Sequence, residues 1–159
     1  MNEMELVPSI PIHGIDLELL LRLGLAALIG LCIGLDRELR GQAAGMRTHA
    51  LICFAAAAMT VSIVALYYQV DTNGDPLRLF EAAGAFIGIV GAGLIVFSGG
   101  KLHNITTAAH LWLAAVIGIA CGAGQWPLVA IGVVISVVML TVLGIVEKRF
   151  FPDTEKNLE

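Results

Sequence analysis

One stretch of the sequence limits the fold more than any other. Residues 102–146 form 45 consecutive positions without a single Asp, Glu, Lys or Arg. A membrane-spanning helix needs about 20 mostly apolar residues to cross a hydrocarbon core roughly 30 Å thick, so this stretch is long enough for two spans. Segment 122–127 (GAGQWP) divides it, because glycine lets the backbone leave a helix and proline suits the first turn of the next one. The stretch therefore predicts transmembrane helices at about 106–121 and 127–146.

Three other segments have the length and character of membrane spans, at about 17–35, 48–70 and 79–97. The composition agrees, since 58% of the residues are hydrophobic and 14% are charged, against about 45–50% and about 25% in soluble chains. A chain of this size cannot bury such a surplus inside its own core. We therefore expect an all-α integral membrane protein, in which a bundle of about five transmembrane helices occupies residues 17–146.

The distribution of Lys and Arg predicts the orientation of this bundle, because basic residues favour cytoplasmic loops. One side of the predicted membrane has a single basic residue, Arg78, outside the spans. The other side carries seven, which are Arg37, Arg40, Arg47, Lys101, Lys148, Arg149 and Lys156. We expect residues 1–16 to be an outer N-terminal tail and residues 147–159 to be a cytoplasmic tail.

Several function classes are disfavoured by the residues themselves. A formal net charge of −4 with nine basic residues is not typical of a nucleic-acid-binding protein. The three cysteines, Cys32, Cys53 and Cys121, lack the spacing of a zinc site or a disulfide framework. No nucleophile triad or phosphate-binding loop is visible, and the histidines match no ligand motif. We therefore expect no enzymatic activity, no cofactor and no resident metal, and the partner that the composition implies is the lipid bilayer.

Small residues recur at every fourth position in three of the predicted spans, a spacing that lets helix backbones approach closely in lipid. They include Gly30 and Gly34 in the first span, Gly84 and Gly88 in the third, and Gly118 and Gly122 in the fourth. Three interpretations are open: packing inside the five-helix bundle, a homodimer interface, or a helix that moves relative to its neighbours. Gly24 lies off the row in the first span, so a bulky residue should be tolerated better there.

One basic residue lies inside a predicted span. Arg22 is about one turn from the outer end of the first span, where an unpaired charge is costly. Glu18 precedes it by four residues and therefore lies on the same helix face. Glu81, near the outer end of the third span, is the alternative partner, and both pairings are compatible with the sequence.

The main candidate for a functional site is a polar cluster on the predicted cytoplasmic face. Its members are Asp36, Arg37, Glu38, Arg40, Arg47, Thr48, His49, Asn104, Thr106 and Thr107. Simpler roles are open as well, because the arginines can anchor helix ends to anionic lipid headgroups and the threonines can cap a helix. The acids and threonines are poor lipid anchors, however, so we expect a polar site on this face.

Two motifs resemble those of the MgtC/SapB family of bacterial membrane proteins. The first is GLDRELRGQAAG at residues 34–45, followed by MRTHAL. The second is GIVGAGLI at 88–95, which leads to ITTAAHLWLAAVIG at 105–118. Asp36 and Asn104 depart from the family pattern, which more often has Glu and Gly at these places. Longer members of the family carry a soluble domain after the last span, whereas thirteen residues follow it here.

The resemblance implies a multi-pass protein of the bacterial inner membrane that is associated with growth at low magnesium and with the survival of pathogenic bacteria inside host cells. Three functions remain open for such a chain. The first is a regulator that binds another membrane complex. The second is a transporter of magnesium or another small cation, which is weakly supported because the mid-membrane positions lack the carboxylates that Mg²⁺ prefers. The third is a structural or lipid-binding bundle without a specific ligand.

Overall fold

The computed structural model describes residues 16–69, 77–139, 142 and 149 of the chain. Within these ranges the protein is mostly helical. Its elements are α1 (Leu17–Leu39), α2 (Met46–Gln69), α3 (Leu77–Leu94), β1 (Val96–Ser98), β2 (Lys101–His103), α4 (Ile105–Gly122) and α5 (Trp126–Val138). The predicted tails and the predicted turn at 71–76 lie almost wholly outside the described residues.

Three of these helices are long enough and apolar enough to cross a membrane. They are α1, the part of α2 from Met46 to Tyr68, and α4. The apolar segments Phe80–Leu94 and Trp126–Val138 are shorter. The five predicted spans therefore coincide with five helices, three of which have the full length of a span within the described residues. The predicted end of the fifth span, at 146, falls on residues that the structure does not describe.

The structure departs from the predicted boundary at the end of the third span. We predicted that this helix would continue to residue 97, but α3 ends at Leu94 and the chain enters a β-hairpin instead. Gly99 and Gly100 join the two strands with φ angles of +59° and +79°. Positive φ at both central residues is what a tight type I′ hairpin turn requires. The Gly-Gly pair between two short apolar runs was the available sequence signal for this hairpin.

Helix α4 lies at the centre of the bundle, in contact with each of the four other helices. Most residues on its buried side are small, including Ala114, Ala115, Gly118, Ala120 and Cys121. Because these side chains project so little, α4 approaches α1 and α2 at short range, as helices associate in lipid. The resulting core also contains Ala26, Ile33, Cys53 and Ala57.

Four glycines of the predicted rows lie against the backbone of α2. A Cβ added to Gly30 would lie 2.6 Å from the carbonyl oxygen of His49, and one added to Gly34 would lie 2.6 Å from the Cα of Met46. Gly118 faces the carbonyl oxygen of Cys53 in the same way, and Gly122 faces that of Ala57. Helices α1 and α4 thus contact α2 at successive positions along one stripe of its surface, where any added side chain would displace backbone.

The third row of small residues is used differently. A Cβ at Gly84 would have one neighbour, the ring of Trp112 at 3.6 Å, and a Cβ at Gly88 would have none within 4 Å among the described atoms. Within the part of the chain that the structure describes, Gly88 is therefore not a packing position. Whether it contacts a second chain stays a prediction.

Candidate functional site

Most of the predicted cluster lies at one end of the bundle, where α1 ends, α2 and α4 begin, and the hairpin lies; we call this the hairpin end. Helix geometry explains the convergence, because α1 and α2 are joined by the short segment 40–45 and α4 starts immediately after the hairpin. Residues 70 positions apart in sequence, Arg37 and Thr107, are hydrogen-bonded here.

Arg37 is the centre of the site. Its guanidinium is buried at the end of α1, and Nη2 donates to Thr107 Oγ1 of α4 at 3.3 Å and to Gln42 Oε1 at 2.9 Å. Gln42 can turn back toward the helix because Gly41 adopts a positive φ of +66°, a conformation that glycine reaches without strain. Arg37 thereby ties α1 to α4 and to segment 40–45.

His49 lies in the first turns of α2 and is fully buried. Its Nδ1 lies 2.9 Å from the carbonyl oxygen of Gly45, and a carbonyl only accepts, so Nδ1 carries hydrogen and donates. Nε2 is also buried and has no hydrogen-bond partner among the residues that the structure describes. A buried polar atom without a partner is uncommon and carries a free-energy cost, so the site holds an unused hydrogen-bonding position.

The two acids of the cluster have different roles. Asp36 forms an ion pair with Arg40, one helical turn away, with 2.9 Å between Oδ2 and Nε, and both side chains are about one-third exposed. Glu38 accepts a hydrogen bond from the backbone N–H of Met46 at 3.0 Å. That N–H is the first of α2 and has no partner inside the helix, so Glu38 joins the end of α1 to the start of α2.

A cavity of about 600 Å³ opens beside this junction. Its lining includes Glu38 and Gln42 from the α1 side and the first turn of α2, with Arg47 and Thr48. Arg47 is exposed and Thr48 is half-buried. The cavity therefore brings together one acid, one base and an amide, and that amide is also hydrogen-bonded to the buried Arg37.

The two threonines of α4 are placed differently, which the sequence did not show. Thr107 is fully buried and is hydrogen-bonded to Arg37, whereas the side chain of Thr106 is exposed. Asn104 precedes the helix with a left-handed φ of +64°, and its Nδ2 donates to the carbonyl oxygen of Leu94 at 3.1 Å. The preference for glycine at this place in the family pattern is consistent with that backbone conformation.

Gln42 is part of the polar site at the hairpin end, although its residue type and spacing did not predict this role. It follows the arginine-rich turn of α1 and lies beside Gly41, and its only sequence signal was this glycine, which permits the chain to reverse. The structure shows that its amide oxygen accepts a hydrogen bond from Arg37.

The predicted intramembrane charge lies at the other end of the bundle. Arg22 is buried and forms an ion pair with Glu18, with Nε 3.1 Å from Oε1. Its Nη1 also donates to the carbonyl oxygen of Gly122 at 2.9 Å. This carbonyl belongs to the last turn of α4, where carbonyls lack intrahelical partners and a cation is favourable. Glu81 is exposed on α3.

The middle of the bundle offers little polarity. Thr60 and Ser136 are buried there, but each hydroxyl donates to a carbonyl of its own helix, Ala56 at 2.8 Å and Gly132 at 2.6 Å. Over the described residues, no group of three or more His, Cys, Asp or Glu side chains is placed to hold a metal ion. The polar chemistry of the described chain is therefore concentrated at its two ends.

These features define a class: a small α-helical membrane protein with a polar, partly buried site at one end of a tightly packed bundle. A sequence model of the MgtC family matches residues 23–149, and the chain belongs to this family. The resemblance seen in the two sequence motifs is thereby confirmed.

Similar proteins include one named "Putative magnesium transporter YhiD" from Escherichia coli strain K12, which is 35% identical over 146 residues. Protein SapB of Bacillus subtilis strain 168 is 36% identical over 144 residues, and Protein MgtC of Salmonella typhimurium is 38% identical over 108 residues. These alignments cover 88%, 87% and 67% of the chain and 66%, 62% and 44% of the relatives. The chain thus spans less than two thirds of the length of each. No solved structure matches the chain.

Proposed function

We propose that this protein is a non-enzymatic regulator of the bacterial inner membrane, which supports adaptation to low magnesium or survival inside host cells by binding another membrane complex through its hairpin end. The membrane class and the magnesium-related family are established by the helices and by the family match. The regulatory role, the partner and the orientation are the proposal.

The observation that carries this proposal is the construction of the hairpin end. Arg37, Thr107 and His49 are buried together where three helices meet, and Asp36, Arg40 and Arg47 form a charged rim around them. A buried core of hydrogen bonds holds the rim in one geometry, which is what a binding surface needs. The excess of basic residues at this end favours a cytoplasmic location, so the surface would face cytoplasmic or membrane-embedded partners.

Cation transport is the second candidate, and one observation favours it: a similar protein carries the name of a putative magnesium transporter. Glu38 in the cavity at the hairpin end is the carboxylate that such a pathway would use first. Mg²⁺ usually binds through one or two carboxylates and retains several waters. The middle of the described helices has no acid, and its two buried hydroxyls, those of Thr60 and Ser136, are bonded to their own helices. We therefore rank transport below regulation.

The two threonines of α4 provide a matched genetic test. Thr107→Val keeps the side-chain volume almost constant but removes the hydroxyl that accepts a hydrogen bond from the buried Arg37. The loss of a hydrogen-bond partner for a buried charged group costs about 1–3 kcal/mol. We expect this variant to lose support of growth at low magnesium in a strain that lacks the native gene. Thr106→Val, the same change one residue earlier on an exposed position, should behave like the parent. Membrane-fraction immunoblots control for abundance, and equal growth of the two variants would contradict the site.

A reconstitution experiment separates the two functions. The purified protein is placed in liposomes that contain a magnesium-sensitive dye, and uptake is compared with that of protein-free liposomes. A regulator should give no uptake above the protein-free level, whereas uptake that is lost in the Glu38→Gln variant would establish transport.

Alkaline phosphatase fusions check the orientation: a fusion after residue 75 should be active and one after residue 99 inactive, since the enzyme folds only outside the cytoplasm.

A further inference from the structure

The β-hairpin between α3 and α4 has two unlike faces. β1 and β2 pair antiparallel, with Phe97 opposite Leu102 and Ser98 opposite Lys101. Residues directly opposite each other share a face of the ribbon, and neighbours along a strand point to opposite faces. Phe97 and Leu102 therefore form an apolar face. The other face carries Val96, Ser98, Lys101 and His103.

The apolar face is open to the surroundings. Phe97 is 71% exposed and Leu102 is 55% exposed, and the residues that flank the hairpin, Ile95 and Ile105, are exposed as well. Apolar area of this size is unfavourable in water. The hairpin directly joins two apolar helices of a membrane protein, so the nearest apolar phase for this face is the bilayer.

The backbone of the hairpin limits how deep it can lie. A ribbon of two strands has two edges, and each edge presents N–H and C=O groups that have no partner in the sheet. Such groups are not tolerated in the hydrocarbon core, where no water can bind them. The ribbon must therefore lie at the level of the headgroups, as interfacial amphipathic helices do. Lys101, exposed beside the turn, is then within the layer that contains lipid phosphates.

We propose that the hairpin is a lipid-binding element of the membrane interface. Its Phe97–Leu102 face enters the boundary between headgroups and acyl chains, and the ammonium group of Lys101 binds the phosphate of an anionic phospholipid. Lysine near an anionic membrane surface is attracted to it, and the positive charge at this position is complementary to that surface. The inference goes beyond the regulatory proposal, because it assigns a ligand class to a segment outside the Arg37 site.

The hairpin also determines where α4 begins. Asn104 follows β2 directly, and its side chain is bonded to the carbonyl oxygen of Leu94 before β1, which closes the base of the hairpin. Thr107, the partner of Arg37, is three residues further along. A hairpin held at the lipid interface therefore holds the first turn of α4 at a defined depth.

Tryptophan fluorescence can test this placement. In a background with Trp112→Phe and Trp126→Phe, single tryptophans are introduced by Phe97→Trp and Leu102→Trp on the apolar face and by Ser98→Trp on the other face as the control. The protein is reconstituted in phosphatidylcholine bilayers that contain equal mole fractions of phosphatidylcholine or phosphatidylglycerol brominated on the acyl chains. Quenching by the bromines is compared with quenching by aqueous acrylamide.

We expect the two apolar-face tryptophans to be quenched by the brominated lipids and the Ser98→Trp control to be quenched mainly by acrylamide. Brominated phosphatidylglycerol should quench Phe97→Trp more than brominated phosphatidylcholine does, through a local enrichment of up to about fivefold for one lysine. Lys101→Gln should remove this difference and Lys101→Arg should preserve it.

Three results would overturn the proposal. Quenching of both apolar-face tryptophans by acrylamide alone would place the hairpin in water. Protection of both from acrylamide and from lipid bromines would mean that protein, for example a second copy of the chain, covers the face. Equal quenching by the two brominated lipids in the variant that retains Lys101 would show that Lys101 does not select an anionic headgroup.

Discussion

Helices α3 and α4 carry similar rows of small residues but use them in opposite ways. Gly118 and Gly122 of α4 lie against the backbone of α2, whereas Gly88 of α3 has open space where a side chain would be. Phe86, Ile89 and Val90 of α3 are also exposed, while Leu111 of α4 is 1% exposed. A small-residue pattern therefore shows that a helix is able to approach another closely, and only the neighbours decide whether it does.

The largest effect on the yield of folded protein should come from placing a leucine in the small-residue rows of α4 and α3. Gly118→Leu would drive a side chain into the carbonyl of Cys53 and the Cβ of Ala56. Overpacking typically costs about 1–3 kcal/mol, and the upper end applies here because the carbonyl is fixed backbone. We expect this variant to yield little folded protein, measured by gel filtration in mild detergent. Gly88→Leu is the matched control and should retain the parent yield. If Gly88→Leu fails to the same extent, α3 packs against something outside this chain, as a homodimer interface would require.

The second-largest effect should come from replacing a large side chain of α4 or α3 by alanine. Leu111→Ala empties space at the centre of the bundle, and a buried cavity of this kind costs about 2 kcal/mol or more. Phe86→Ala removes a larger side chain that is 69% exposed on α3, so it should change the free energy of unfolding by less than about 0.5 kcal/mol. Unfolding in mixed micelles, followed by circular dichroism, measures both. Equal losses would mean that α3 is as well packed as α4.

The smallest effect is expected at the junction of α1 and α2. Glu38→Ala removes the acceptor for the Met46 N–H, and loss of a helix-capping group costs about 1 kcal/mol. Asp36→Ala breaks only the partly exposed pair with Arg40, which is worth about 0–0.5 kcal/mol. Hydrogen exchange of the first-turn amides of α2 should accelerate in the first variant and not in the second. The reverse order would show that Asp36, not Glu38, holds this junction.

For the polar site, too, the sequence predicted where the site lies but not how each side chain is placed. The density of charge at residues 36–49 marked it in the sequence, and the alternation of helices predicts residues 104–107 at the same end of the bundle. In the structure, Arg37 and Thr107 are hydrogen-bonded at that end. Periodicity did not distinguish Thr106 from Thr107. Adjacent residues on a helix point about 100° apart, and which of them is buried depends on the position of α1.

Features that depend on local composition could be predicted from the amino-acid sequence. Uninterrupted apolar length requires helices in lipid, and the glycine and proline turns mark where helices end. The Gly99–Gly100 pair contained the information for the hairpin, although the apolar run around it resembled the end of a span. The charge clusters and the two family motifs are likewise properties of the sequence alone.

Which side chains contact one another depends, in contrast, on how the helices pack. Arg22 interacts with a carbonyl 100 residues away, at the end of α4, and the unpartnered Nε2 of His49 is enclosed by the packing of α2 in the part of the bundle that the structure describes. Such contacts depend on the rotation and depth of one helix relative to another. In lipid these are set by close van der Waals packing and not by the exclusion of apolar surface from water. The sequence pattern of a single helix therefore does not contain them.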